Sequence, residues 1–386
     1  MHRSPSLSVL LGLDSRDPYH RDMIEGVLDF NRAHTGCELL VMPDGKSVRA
    51  HLKQSSGVQG IIMVDTWLSH AELVSLGLPT VLVLCARKPA RLSGISDDEV
   101  AIAEMALGHF RELGVTRMAF LDHLNPPSDR RLAFAATVSK AGLECHAYPP
   151  VGYQVEPDWH ARTERIADWV EPLPKPIGIF CFHVDEAQQL AMACSRRKVR
   201  VPEDVAILSC GGDDIECHLA TPPISAIDQG GDRLGHEAAR RLAELMAGIN
   251  PEPTFTRFAP VGITRRQSTD LLAVDDPHVA QAITLIHEQA CEGLTVSEVI
   301  ARVPISRRRL DYAFERVVGR TMHEQITHER LARAKRLLIR TNLPLTDVAA
   351  RAGFAYPTRL SEAFRKALGI TPTEYRRQNQ STAVGA

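Results

Sequence analysis

The chain has 386 residues, 44% of them apolar and 24% charged, with a formal charge of −2. That length exceeds one ordinary domain, and the composition is that of a folded, water-soluble protein. No run of about 18 uninterrupted apolar residues is present to span a membrane; the eight cysteines, scattered without C-x-x-C spacing, argue against zinc or a disulfide frame and for a reducing cytosol.

The opening MHRSPSLSVLLGLD reads as a first β-strand rather than a secretory leader. Strand-like apolar runs follow at 8–13, 38–42, 60–64, 80–84, 117–121, 177–182 and 205–210, separated by helix-period stretches such as 19–33, 98–113 and 184–197. Continuous apolar strands alternating with helices predict parallel sheets buried on both faces. Two such series predict two α/β lobes over residues 1–264, with a break near 94–97 and a return near 224–228. A ligand then belongs beyond the carboxyl ends of the strands. Tyr19, Trp67, Asp97, Arg131, His183, Asp185, Asp213 and Asp228 are the candidates to line that crevice.

The polar segment RRQSTDLLAVDDP interrupts both periodicities and reads as a linker over 265–277. Residues 278–380 are purely helical in pattern, and 381–386 form a tail. From Asp276 onward there are 17 Lys+Arg against 11 Asp+Glu, leaving 28 against 36 for the rest. A basic C-terminal domain on an acidic body suits a polyanionic partner for that domain alone.

This helical part repeats itself. Residues 294–318 and 343–368 share one pattern at a shift of 49, which becomes 50 after the turn (Val299 to Val348, Phe314 to Phe364). Thr295 and Glu298 have capping-box spacing at the start of the first unit. Leu310, Ala313, Phe314, Val317 and Val318 form an apolar stripe that Leu360, Ala363, Phe364, Ala367 and Leu368 copy, so each second helix rests on a core and presents one polar face. In the first copy that face carries Ser306, Arg307, Arg308, Arg309 and Arg316; in the second, Thr358, Arg359, Ser361, Glu362, Arg365 and Lys366, with Tyr356 at the entrance. Each unit is a helix-turn-helix whose N-terminal residues read base edges while later cations neutralise phosphates. Three consecutive arginines fan around about 200° of helix, so they cannot all face a groove. Between the units, 321–340 predicts a strut of about 30 Å, able to set two readers in successive major grooves.

GFAYPTRLSEAFRKALGITPTEYR resembles the signature of AraC/XylS-type transcription regulators, with Gly353-Phe354, Phe364, Gly369, Thr371-Pro372 and Tyr375-Arg376 at the family's positions. With the α/β part ahead of it, the chain resembles the xylose-operon (XylR-like) regulators. Tyr19-His20-Arg21 followed by Gly26, the run from Val201 to Val205, and Pro222 to Ile227 followed by Gly235 fit that picture. The resemblance implies a periplasmic-binding-protein-like sensor of the LacI type, followed by an all-α domain with two helix-turn-helix units. It implies a sugar bound between the lobes, an operator or promoter duplex as partner, a homodimer in the cytoplasm and, for an activator, RNA polymerase. No cofactor or metal is implied.

The chain departs from that family in places. Pro304 stands at the first turn, where glycine is usual and where a proline cannot take φ > 0. Gly211-Gly212 replace the Asp-Asn typical after the strand VAILSC, and Val184 and Glu186 stand where Asn/Asp and Arg are common. These changes point away from xylose and toward another sugar or small polar ligand. Two other readings stand beside the ligand-controlled regulator. One is a constitutive DNA-binding protein whose sensor has lost its ligand; the other is an enzyme on a binding-protein scaffold, which no catalytic constellation supports.

Overall fold

The computed structural model describes residues 7–54, 57–124, 126–149, 158–270, 277–318 and 320–379. In chain order they form β1 (Ser8–Gly12), α1 (Pro18–His34), β2 (Glu38–Met42), α2 (Gly45–Gln54), β3 (Val58–Val64), α3 (His70–Ser75) and β4 (Thr80–Val83). Next come β5 (Ser93–Asp97), α4 (Glu99–Glu112), β6 (Met118–Leu121), α5 (Asp129–Lys140), β7 (Cys145–Ala147), α6 (Trp159–Val170) and β8 (Ile177–Cys181). The α/β part closes with α7 (Val184–Arg196), β9 (Val205–Cys210), α8 (Asp214–Leu219), β10 (Ser225–Asp228), α9 (Gly231–Met246), β11 (Phe255–Phe258) and β12 (Gly262–Thr264). Seven helices follow: α10 (Pro277–Gln289), α11 (Val296–Arg302), α12 (Arg307–Val318), α13 (Met322–Arg340), α14 (Leu345–Arg351), α15 (Pro357–Leu368) and α16 (Pro372–Asn379).

The chain divides into two compact units. One gathers Met1–Ile102, Gly211–Asp213 and Asp228–Pro260; the other holds Ala103–Cys210, Asp214–Ile227 and Val261–Ala386. Each contains a six-stranded sheet, ordered β11-β5-β4-β3-β1-β2 in the first and β12-β10-β9-β8-β6-β7 in the second. The ladders from β2 through β1, β3, β4 and β5 to β11, and from β7 through β6, β8 and β9 to β10, are parallel. Both orders reverse direction beside the unit's first strand, and that reversal opens a crevice at the carboxyl ends.

In the first unit the period of two along β1 sorts its side chains between two cores. Val9 and Leu11 pack with Met23 and Val27 of α1 and Leu234, Ala238 and Leu242 of α9; Leu10 joins Val48, Ile61, Met63 and Leu82 on the opposite face. Helices α1 and α9 meet backbone to backbone. A Cβ placed on Gly26 would lie 1.8 Å from the Asp232 carbonyl oxygen, and one on Gly235 would lie 1.9 Å from that of Met23. In the second unit Phe120, Phe134 and Phe180 pack edge to face or tilted at centroid distances of 5.2–5.9 Å. Gly178 leaves room on its strand for Phe110 of α4, whose ring would sit 2.5 Å from any Cβ there.

Two segments read as breaks are strands. β5 (SGISD) and β10 (SAID) lack the apolar runs that mark the others, yet β5 is buried throughout and β10 over its first three residues. Gly94 is small because Pro89 presses within 2.7 Å of where its Cβ would be, and Ser225 is satisfied by Ser268, Arg266 and Thr269. Ser268 also donates to the Ile207 carbonyl at 2.7 Å, so residues 265–270 of the expected linker pack on the second sheet; 271–276 and the expected tail 381–386 lie outside the described residues. The side chains of Pro277 and Val317 lie outside them too. Cys85, Cys181, Cys194, Cys210 and Cys217 are buried free thiols, as their apolar neighbours in sequence imply.

The α1–α9 crossing predicts the effect of a single methyl group. Gly235→Ala should lower the unfolding free energy by about 1–3 kcal/mol, measured by urea denaturation, because overpacking here displaces backbone rather than a side-chain tip. An unchanged midpoint would contradict the crossing.

Candidate nucleic-acid interface and effector site

The helical domain has two hydrophobic cores that share one helix. Val279, Ala282 and Ile286 of α10 pack with Val299, Leu310, Phe314, Met322 and Ile326; the second core joins Leu331, Ala334 and Leu338 to Val348, Ala349, Phe354, Leu360 and Phe364. Helix α13 therefore supplies Met322 and Ile326 to one and Leu331, Ala334 and Leu338 to the other. Its 19 residues span about 28 Å. Arg330 of the same helix donates to the carbonyls of Ala290 and Leu294 at 2.8 and 2.7 Å, and Arg376 of α16 caps Leu343 at 2.6 Å.

The two turns differ, as Pro304 requires. In the first, Val303 is extended and the Ile305 N–H reaches the Val303 carbonyl at 2.8 Å, so no left-handed residue is needed. In the second, Gly353 has φ +81°, and a Cβ there would stand 2.7 Å from the Ala290 carbonyl oxygen.

Three helices open on capping boxes: Thr295 with Glu298, Thr321 with Glu324, and Thr371 with Glu374. The first was expected from spacing. The others have the same T-x-x-E spacing and were readable.

The polar faces are open. Ser306, Arg307, Arg308, Arg309 and Arg316 of the first unit are exposed, as are Tyr356, Thr358, Arg359, Glu362, Arg365 and Lys366 of the second. Ser361 is the exception: half-buried, it turns its hydroxyl back to the Pro357 carbonyl at 3.0 Å. Arg359 lies 3.1 Å from Glu362, and Arg307 lies 3.5 Å from Asp311. Tyr312, which the stripe analysis passed over, is 69% exposed on α12 beside these arginines. An aromatic residue off the apolar stripe was the available signal.

Of the eight effector candidates, the first unit holds five and brings two into contact. The Tyr19 hydroxyl donates to Asp97 Oδ1 at 2.5 Å, and Gln229 Nε2 donates to Asp97 Oδ2 at 3.0 Å; all three are buried. Trp67 is half-buried, edge-on to His20 at 6.4 Å. His20 accepts from the Asp14 N–H at 3.1 Å, and burial holds its imidazole below the ordinary value, hence neutral near pH 7. Asp213 is paired with Arg21 at 2.8 Å, and Asp228 accepts the Gly230 N–H at 3.1 Å. Gly211 and Gly212 have φ of +72° and +105°, and a Cβ on Gly211 would lie 2.7 Å from Gln229 Oε1. Gly211 thus packs its bare Cα against this buried amide.

In the second unit Arg131 bonds Asp122 at 3.0 Å, and Asp122, with a fully buried side chain, also accepts from the Ser128 hydroxyl at 2.7 Å. His183 stands before α7 with its N–H capped by Glu186 at 3.0 Å, and Asp185 occupies that helix's first turn. Glu186 is therefore committed to a cap. Burial keeps the neighbouring His123 imidazole below its usual range. Gln229, Asp122 and His123 were missed, although Asp122-His123 directly follows a recognised strand and the strand-end rule pointed there.

A periplasmic binding protein-like domain model matches residues 107–269, and a helix-turn-helix domain model matches 299–378. The chain is 28% identical over 387 residues to the xylose operon regulatory protein of Escherichia coli K12, covering 97% of this chain and 98% of that one. It is 26% identical to the protein of that name from Haemophilus influenzae, over 95% and 97%. Among solved structures, the xylose-binding transcription activator XylR aligns over 97% of this chain and 98% of its own, with 26% identity and a TM-score of 0.59. The transcriptional regulator CelR in complex with cellobiose shares the fold of the α/β part at 19% identity and a TM-score of 0.56, over 69% and 86%.

The caps predict an acid sensitivity. Hydrogen bonds from Thr295, Thr321 and Thr371 hold Glu298, Glu324 and Glu374 below their ordinary value of 4.5. A depressed carboxylate stabilises the fold above its unfolded value and stops doing so as pH falls through the folded value. Urea midpoints followed by circular dichroism should separate wild type from Glu324→Ala at about pH 6, and the gap should narrow as pH falls through the depressed folded value of the Glu324 carboxyl. A gap that persists in acid would refute the cap's role.

Proposed function

We propose that the chain is a sequence-specific DNA-binding regulator under the control of a small sugar-like effector; the periplasmic binding protein-like and helix-turn-helix domain matches and the full-length likeness to xylose operon regulatory proteins support that reading. The observation that carries this reading is the pair of cationic helix faces, α12 and α15, left exposed by cores that repeat each other. Arg359, at the start of α15, reads base edges, with Glu362 steadying its guanidinium in the free protein; Arg307, Arg308 or Arg309 does so in the first unit. Arg316, Arg365 and Lys366, further along their helices, neutralise phosphates, and Tyr356, Thr358 and Tyr312 flank the groove. The protein acts as a homodimer in the cytoplasm and meets RNA polymerase if it activates transcription.

The effector is a polyhydroxylated molecule. Asp97 is buried with both oxygens already accepting, and Gln229 presents a buried amide oxygen for which no donor stands among the described residues. A ligand hydroxyl supplies that donor, which removes the cost of an unmet buried acceptor. Neutral His20 on the same unit suits an uncharged polyol better than an anion. The relatives named for the xylose operon place pentoses first among the sugars to test. Control of transcription follows if the sugar binds one conformation more tightly than another, since equal affinity for both shifts nothing.

Two experiments decide between outcomes. A thermal-shift screen of pentoses and hexoses should give a rise in melting temperature for at least one sugar, lost in Gln229→Leu; the absence of any shift favours a constitutive DNA-binding protein. In binding to a selected operator duplex, Arg359→Ala should relax discrimination at particular base pairs by about 1–3 kcal/mol, whereas Arg365→Ala should weaken all sequences alike and flatten the salt slope by about one. Intact discrimination in Arg359→Ala would displace it from the groove.

A further inference from the structure

Within the second unit, α4 and the segment around β12 face α13 and the end of α15 across a cavity of about 600 Å³, the size of a small-molecule site. The carboxylates on its walls are occupied. Glu112 is paired with Arg265 and lies 3.5 Å from Arg320 and 3.9 Å from His328; Glu329 lies 3.6 Å from Arg265. Lys335 differs. It stands half-buried on the α13 wall, where burial pushes its ammonium below the ordinary value and no carboxylate among the described residues pairs with it. Arg336 adds a second cation on the same wall, 3.2 Å from the Thr264 hydroxyl. A desolvated cation without an anion is unfavourable, and a bound anion reverses the sign.

We propose that this cavity binds a small organic anion, its carboxylate or phosphate group held by Lys335 and Arg336 and its carbon body lying against Leu331, Leu368 and Val261. The polyol site and this one take different chemistry: the first is built around a carboxylate and an amide, the second around cations. An occupant here bears on α13, the helix that both cores share, so it is placed to act on the spacing of the two readers.

Isothermal titration calorimetry of the full chain at fixed ionic strength tests this, with citrate and glycerol 3-phosphate separating a carboxylate source from a phosphate one. The expected result is a dissociation constant below about 1 mM for one of the two, weakened about tenfold or more in Lys335→Met and recovered in Lys335→Arg. Arg336→Gln should weaken the same anion independently, which keeps the test decisive if Lys335→Met does not fold. No heat with either anion, or variants that titrate like wild type, overturns the proposal. DNA takes no part in these titrations, so their failure is distinct from failure of the regulator reading.

Discussion

Helix α13 cannot move without disturbing two cores. Met322 and Ile326 are buried in one, Leu331, Ala334 and Leu338 in the other, and Arg330 pins the helix to the carbonyls of Ala290 and Leu294. Removing any one of these large side chains would cost roughly 2–5 kcal/mol. The two cationic faces are therefore set at a spacing fixed by a single rigid element rather than by a tether. That makes the helix a natural point of control, since a change of its tilt reaches both faces at once.

The α/β part applies the same economy to a different end. Each sheet reverses its strand order beside its first strand, and the polar groups gather where the carboxyl ends open: Tyr19, Asp97 and Gln229 in one unit, Asp122, Ser128 and Arg131 in the other. Charge is kept low there. Burial holds His20 and His123 neutral, and the buried Asp97 accepts from the Tyr19 phenol and the Gln229 amide. Such groups discriminate hydroxyl patterns more than net charge.

Periodic features were legible in the sequence and pointwise ones were not. The 49- to 50-residue repeat, the apolar stripes of α12 and α15, and the runs that became β1, β3, β6, β8 and β9 follow from patterns that burial imposes on whole elements. β5 and β10 escaped because their burial is served by small and hydroxylated residues whose partners lie far off in sequence, such as Ser225 with Ser268. Among the candidate site residues, Tyr19 and Asp97 do meet, 78 positions apart. Gln229 was invisible because an isolated amide carries no periodicity, as was the pairing of Asp213 with Arg21, which spans 192 positions. Of the pair Gly211-Gly212, Gly211 brings its backbone close to the Gln229 amide, a contact that the sequence does not announce.

Gly353 and Pro304 occupy matching places in the two copies and have opposite tolerances. Val303 and Pro304 make a turn that any residue of ordinary φ can follow, whereas Gly353 sits left-handed against the Ala290 carbonyl, where a pyrrolidine ring can neither rotate nor fit. The duplication is thus irreversible in one direction: the second copy's turn residue would be accepted in the first unit, but the first copy's would be rejected in the second. The two turns are therefore not interchangeable, although the apolar stripes around them follow one pattern.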